Sequence, residues 1–178
     1  NQLSIEKRLP RIPFFVDSPL SKEATELLKR YPQYFNKTIK KIMENDSDPF
    51  DFDGLTFISS VEESKRLNTL DQPCVIISAS GMADAGRVKH HIMNNNGSRD
   101  NTILIVGYCE PRSLGGRLSS GVEEVKIYGE YYKVAAEIGQ MRSMSAHGDY
   151  EDLCQYLSCQ SPELVTQLFV VHGDYDVQ

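Results

Sequence analysis

The feature that most constrains the fold is a series of short, unbroken apolar runs, each followed by a turn and then by residues at helical spacing. Cys74 to Ile77 and Thr102 to Val106 are the strongest of these runs, and Ile12 to Val16 and Leu55 to Ile58 repeat the theme. A strand that is apolar at every position has no face to offer to water, so such runs predict strands buried on both sides. Helix signals fill the gaps between them. Ser18 before Pro19 predicts an N-cap and first helical residue for a helix reaching about Tyr31, and a second helix is predicted from Asn36 to Glu44. Ser60-Val61-Glu62-Glu63 has the form of a capping box, and further helices are predicted over Arg87 to Met93, stopped by Gly97, and over Leu114 to Leu118. The expected fold class is α/β, a mostly parallel sheet with helices on both faces.

After Val122 the pattern changes. Val125 to Tyr128 and Tyr131 to Ile138 are close enough to pair through Gly129, and a helix from Asp149 to Leu157 and a strand from Gln167 to Val171 follow. This predicts a boundary between 128 and 140, with one domain over 1–130 and a second segment over 131–178. The final ~40 residues are too few for an independent core and read as one edge of a second domain. Both ends read as cuts: Asn1 to Leu9 resembles the last turns of a helix with no cap before it, and the chain stops at Gln178, shortly after His172.

The formal net charge of −6 argues against a broad nucleic-acid-binding surface and leaves room for a local one. Lys37, Lys40 and Lys41 form one basic cluster, read as a solvated face, and Arg87, Lys89, His90 and His91 form another, whose histidines read as helix-surface residues with one of them free to face a cleft. No apolar run approaches the ~18 residues that span a bilayer, and the N-terminus lacks the apolar stretch of a signal peptide, so a cytoplasmic protein without a membrane partner is expected. Cys74, Cys109, Cys154 and Cys159 show no CxxC pair and are expected to be free, buried thiols.

In an open α/β sheet, ligands gather beyond the carboxyl ends of the strands, and three such ends carry polar or glycine residues. At Asp17-Ser18-Pro19, Ser18 serves first as a cap and Asp17 is a weaker candidate to face the cleft. At Ser78-Ala79-Ser80-Gly81-Met82, small residues let a backbone approach a phosphate, although a tight turn with no ligand explains them equally well. In the third, from Gly107 to Arg117, Arg112 and Arg117 are placed to clamp phosphate oxygens and Tyr108 to stack on a base, or all three are surface residues. Neither a dinucleotide nor an NTP motif is present. His147 and His172 stand in matching His-Gly-Asp frames that suit a metal or a proton, but two histidines do not fill a zinc site. Asp149 reads as the cap of the helix that follows it.

Taken in order, Phe15-Val16-Asp17-Ser18-Pro19-Leu20, Val75 to Met82, Val106-Gly107-Tyr108, Leu114 to Leu118, Ser145 to Asp149 and Val171-His172-Gly173 resemble the β-CASP branch of the metallo-β-lactamase-fold nucleases, a group that includes the polyadenylation-factor endonuclease subunit and RNase J. The resemblance implies a two-domain, zinc-dependent ribonuclease with its active site between a metallo-β-lactamase domain and an inserted β-CASP domain. It implies that His147 is the motif B histidine that contacts the scissile phosphate, and that His172 is the motif C histidine that ligates zinc. A histidine at motif C is typical of the RNA-processing members, which makes RNA the expected partner.

The HxHxDH motif and the motif A carboxylate, which lie upstream in family members, are not found in this chain, and Asp17 is not motif A. Within the family those residues hold two zinc ions that activate water for attack on a phosphodiester. The chain is therefore expected to be the β-CASP domain plus a returning part of an incomplete metallo-β-lactamase domain, to need the missing N-terminal domain of the same protein, and to be inactive and unable to hold zinc alone. The resemblance admits a homodimer and leaves open whether cleavage is endo- or exonucleolytic. Two rival readings are a non-catalytic RNA-binding or scaffold member of the family and a free-standing nucleotide-binding α/β module.

Overall fold

The computed structural model describes residues 2–46, 48–144, 148–169 and 171. The chain forms two compact units, Asn1–Ser143 and Met144–Gln178. The first unit opens with the single-turn helix α1 (Gln2–Ile5) and continues through β1 (Phe14–Asp17), α2 (Pro19–Lys29), a 3-10 turn at Pro32–Tyr34, α3 (Lys37–Met43), β2 (Leu55–Phe57), α4 (Val61–Leu67) and β3 (Val75–Ser78). It ends with α5 (Arg87–Asn95), β4 (Thr102–Val106), α6 (Leu114–Ser119), β5 (Glu124–Ile127), β6 (Glu130–Lys133) and β7 (Glu137–Met141). No helix among the described residues is long and apolar enough to cross a membrane.

The protein is α/β with parallel strands. β1 is the middle strand of a three-stranded parallel sheet in the order β2-β1-β3, with Phe14 opposite both Leu55 and Val75. β4 pairs in parallel with β7, from Thr102 opposite Glu137 to Val106 opposite Met141. The helices begin where the local chemistry dictates. Ser18 accepts a hydrogen bond from the Ser21 amide with Pro19 directly inside α2, Asn36 accepts from the Ile39 amide, and Ser60 and Glu63 close a reciprocal capping box on α4.

In the first unit the strands depart from expectation at two places. The run from Tyr131 to Ile138 is not one strand: it divides into β6 and β7, because the Asn96 carbonyl accepts from both the Ala135 and Ala136 amides and turns the chain between them. The largely apolar β4 buries Ile105 but leaves Leu104 and Val106 about half exposed, at 51% and 46%.

The core lies beside β4 and α6. Leu114, Leu118, Val125 and Ile127 are almost wholly buried, with Ala83 and Ile92 closing the cluster and Tyr132, Ile103 and Ile138 packed around it. Each fully buried aliphatic side chain of this kind contributes about 1.5–3 kcal/mol. β5 and β6 form an antiparallel hairpin that alternates cleanly: Val125 and Ile127 point inward while Glu124 and Lys126 are exposed. Ile127 pairs with Glu130 across a two-residue turn in which Tyr128 has φ 51° and Gly129 φ 93°. Positive φ at both central positions is the type I′ geometry of tight hairpins, in which Asn and Gly are favoured. A tyrosine there bears a penalty of roughly 1–2 kcal/mol.

In the second unit, α7 (Tyr150–Ser158) is capped by Asp149, whose carboxylate accepts from the Asp152 amide while Asp152 accepts from that of Asp149. Asp149 is thus the helix cap that the sequence leads one to expect. The strand expected at 167–171 is not formed by its described residues, 167–169 and 171. A strand exists by pairing, and the described residues of this unit hold no partner strand for it.

Candidate functional site

The three strand ends singled out from the sequence come together, and they do so through the loops that follow them. At the first, Asp17 ends β1 and is buried, with 1% of its surface exposed. Its carboxylate accepts from Arg87 Nη1 at 2.6 Å on one oxygen, and from Ser64 Oγ at 2.5 Å and His91 Nε2 at 2.7 Å on the other. Burial alone raises the pKa of this carboxyl, but hydrogen bonds from Ser64, His91 and Arg87, with the charge of Arg87, outweigh burial and hold it below the usual carboxylate range. The network reaches further: Arg87 Nη2 donates to the Ser59 carbonyl, and His91 Nδ1 lies 2.8 Å from Asn68 Oδ1. Asp17 therefore ties β1, α4 and α5 together and turns away from any cleft.

The sequence placed His91 on a helix surface. It is 7% exposed because Arg87 and His91 stand four residues apart on α5 and share one face, whereas Lys89 and His90 project elsewhere. The signal was present in the i, i+4 spacing of Arg87 and His91, interleaved with the apolar Val88 and Ile92.

The second and third ends are laced to each other. Ser78 Oγ donates to the Asp17 carbonyl, joining the β3 end to that of β1. The loop after β3 then meets the loop after β4: Gly115 N donates to the Met82 carbonyl at 2.9 Å, Leu114 N to Asp84 Oδ1 at 2.8 Å, and the Cys109 thiol to the Gly81 carbonyl at 3.0 Å. Burial, and secondarily the carboxylate of Asp84, push the Cys109 thiol up, so it stays protonated and serves as a donor. The approach is close enough to require glycine. A Cβ on Gly115 would lie 3.1 Å from the Met82 carbonyl oxygen of the neighbouring loop and 2.7 Å from Cys109 Sγ, while one on Gly116 would meet its own loop, 2.1 Å from the Glu110 carbonyl oxygen.

What remains unspent at this edge is specific. Ser80 and Gly81 are exposed, and the Ser80 carbonyl accepts from Ala83 N while its hydroxyl has no partner among the described residues. Arg112 is exposed with its guanidinium free of any ion pair among the described residues, and Tyr108 is 63% exposed. Arg117 is half-buried: Nη2 donates to the Lys126 carbonyl at 3.4 Å, while Nε is buried without a protein partner. Ser80, Gly81 and Arg112 therefore lie on the joined loop pair, whereas Ser78 ends β3 and Arg117 sits in α6 and reaches the β5–β6 hairpin.

His147 and His172 lie outside the described residues. Among the described residues no three His, Cys, Asp or Glu side chains gather to hold a metal ion. The donors that do converge, Asp17 and His91, are consumed by each other and by Arg87 and Ser64. The described donor set does not make a zinc site. Of the thiols, Cys74 and Cys109 are partly buried, whereas Cys154, on the helix α7 that buries none of its residues, and Cys159, at its C-cap, are exposed, contrary to expectation.

The family model described as Beta-Casp domain matches residues 1–118, and that described as Zn-dependent metallo-hydrolase RNA specificity domain matches residues 131–178. A ribonuclease of Thermus thermophilus is 30% identical over 94% of this chain and 38% of its own length. The transcription termination factor FttA of Methanosarcina mazei is 29% identical over 96% of this chain and 28% of its own. An RNase J-like protein of Methanocaldococcus jannaschii is 29% identical over 94% of this chain and 37% of its own. The chain spans well under half the length of these relatives.

Proposed function

Because this chain belongs to the β-CASP family of metallo-β-lactamase-fold nucleases, we propose that it is part of a zinc-dependent ribonuclease that hydrolyses RNA phosphodiester bonds. The observation that carries this reading is that both family models match in sequence order, the second being described as an RNA specificity domain of zinc-dependent metallo-hydrolases. In this reading 1–130 is the β-CASP domain and 131–178 the returning segment of the metallo-β-lactamase domain. His147 acts on the scissile phosphate and His172 is a zinc ligand. The remaining ligands come from the N-terminal domain of the same protein, so the chain by itself neither holds zinc nor cleaves RNA. The protein works in the cytoplasm.

The joined loops after β3 and β4 supply the phosphate-holding edge. Backbone N–H groups around Ser78, Ser80 and Gly81 and the guanidinium groups of Arg112 and Arg117 recognise phosphate without reading sequence. The polar capacity left unspent at Ser80, Arg112 and Arg117 supports this role.

The test uses the complete protein, with zinc content and single-turnover RNA cleavage measured on two variants. His147→Ala lowers the rate strongly and leaves zinc nearly unchanged, whereas His172→Ala lowers both. Loss of zinc in His147→Ala with full zinc in His172→Ala would reverse the two roles. Full cleavage by both variants would end the nuclease reading of these motifs.

A further inference from the structure

The β5–β6 hairpin carries an arrangement that the phosphate edge does not use. Its inward face is fixed by Val125 and Ile127, which are 1% and 0% exposed, so the outward face is held on a rigid base. On that outward face Tyr131 stands opposite Lys126, whose ammonium lies 5.4 Å from the ring centroid. At the turn, Tyr128 receives Lys89 Nζ at 4.6 Å from its ring centroid and stacks on His90 at 5.0 Å, with its hydroxyl 3.0 Å from His90 Nε2. Tyr128 and Tyr131 nevertheless remain 54% and 70% exposed.

Tyr128 is also the wrong residue for its backbone. The first central position of a type I′ turn favours Asn or Gly, and a bulky side chain at positive φ marks a place where something other than the turn selects the residue. Cations beside exposed aromatic rings, on a chain whose net charge is −6, make this a local exception to the overall charge. The carboxylates of the hairpin do not cancel it: Glu124 faces Lys133 at the end far from the turn, and Glu130 shares the Ile127 face.

Resting on the ribonuclease reading, we propose that the hairpin tip, with Tyr128 beside Lys89 and His90 and the more open Tyr131 beside Lys126, is a stacking surface for unpaired bases of single-stranded RNA. Every base offers a π-face to a tyrosine, and the adjoining lysines neutralise the phosphates that flank it, so the surface engages a strand without choosing a sequence. Paired bases are already stacked and have no face to give.

Tyr128→Asn separates this role from a structural one, because asparagine suits the turn and keeps the hairpin. In the complete protein, Tyr128→Asn and Tyr131→Thr each weaken binding of a fluorescein-labelled single-stranded oligoribonucleotide about tenfold. Affinity for duplex RNA stays unchanged, and Tyr128→Asn unfolds at a temperature no lower than the parent. Unchanged single-strand affinity in both variants would overturn the proposal and assign the hairpin to a protein partner or to none. An equal loss on duplex RNA would overturn it too, by making the contact electrostatic. If the parent cleaves RNA while both variants bind as it does, the hairpin proposal fails and the ribonuclease reading stands. If the parent neither binds nor cleaves RNA, both fail.

Discussion

The end of β1 and the ends of β3 and β4 meet at one edge of the molecule, yet they are built in opposite ways. At β1 the carboxylate of Asp17 is buried and takes three donors, from Arg87, Ser64 and His91. At β3 and β4 the loops are lashed together by bonds that each use at least one backbone group, such as Gly115 N to the Met82 carbonyl and Leu114 N to Asp84 Oδ1, and the side chains of Ser80 and Arg112 are left unspent. The difference separates support from recognition. A polar group whose partners are all internal stabilises the fold and has nothing to offer a ligand, whereas a loop held by its backbone can present free side chains at fixed positions.

The sharpest way to break this comparison is Asp17→Ala. It strands Arg87 and His91 around a buried gap, and roughly 3–5 kcal/mol of stability is lost, as when one partner of a buried ion pair is removed. Denaturant unfolding measures it, and a loss below about 1 kcal/mol, the level of an exposed ion pair, would mean that the network is decorative. The same network has a pH signature. Since the folded carboxyl sits below the ordinary value of about 4, its stabilisation is fully present above that pH and fades as pH falls through the lowered folded value. Asp17→Asn removes that acid-side dependence while nearly preserving shape.

Gly116→Ala tests the other edge. The new Cβ meets the Glu110 carbonyl, which is backbone and cannot swing aside, and overpacking of this kind costs about 1–3 kcal/mol. The damage is read in the same unfolding experiment and falls on the loop after β4, with the Asp17 pH dependence intact. A neutral outcome would show that the loop after β4 is not held rigidly against the start of α6.

Arg112→Ala has the smallest effect on stability, within about 0.5 kcal/mol, because its side chain is exposed and unpaired among the described residues. In the complete protein it weakens RNA binding and flattens the salt dependence by about one unit in slope. Arg117→Ala does both kinds of harm, since Arg117 also supports the hairpin through the Lys126 carbonyl. An unchanged salt slope in both variants would remove this edge from the RNA path.

Much of this was legible in the chain. Helix starts depend on two or three neighbouring residues, so Ser18 with Pro19, the Ser60–Glu63 capping box and Asp149 before α7 were readable as they stand. The parallel, α/β character followed from continuous apolar strands separated by helices. The ordered motifs sufficed to reach the β-CASP family, and with it the two histidines that carry the chemical proposal.

What the sequence did not determine was decided by contacts between distant residues. The i, i+4 spacing of Arg87 and His91 marks a shared helix face, but that this polar face turns inward is decided by Asp17, some 70 positions away, at 2.6 and 2.7 Å. Nor does any local signal split Tyr131 to Ile138 into two strands; the carbonyl of Asn96, capturing two amides, does that. The pairing of the loops after β3 and β4, and the placing of Lys89 over Tyr128, are likewise products of packing. Periodicity and capping chemistry are carried by neighbours along the chain and survive as text, whereas the destination of a polar side chain depends on which partner the fold brings within hydrogen-bond reach.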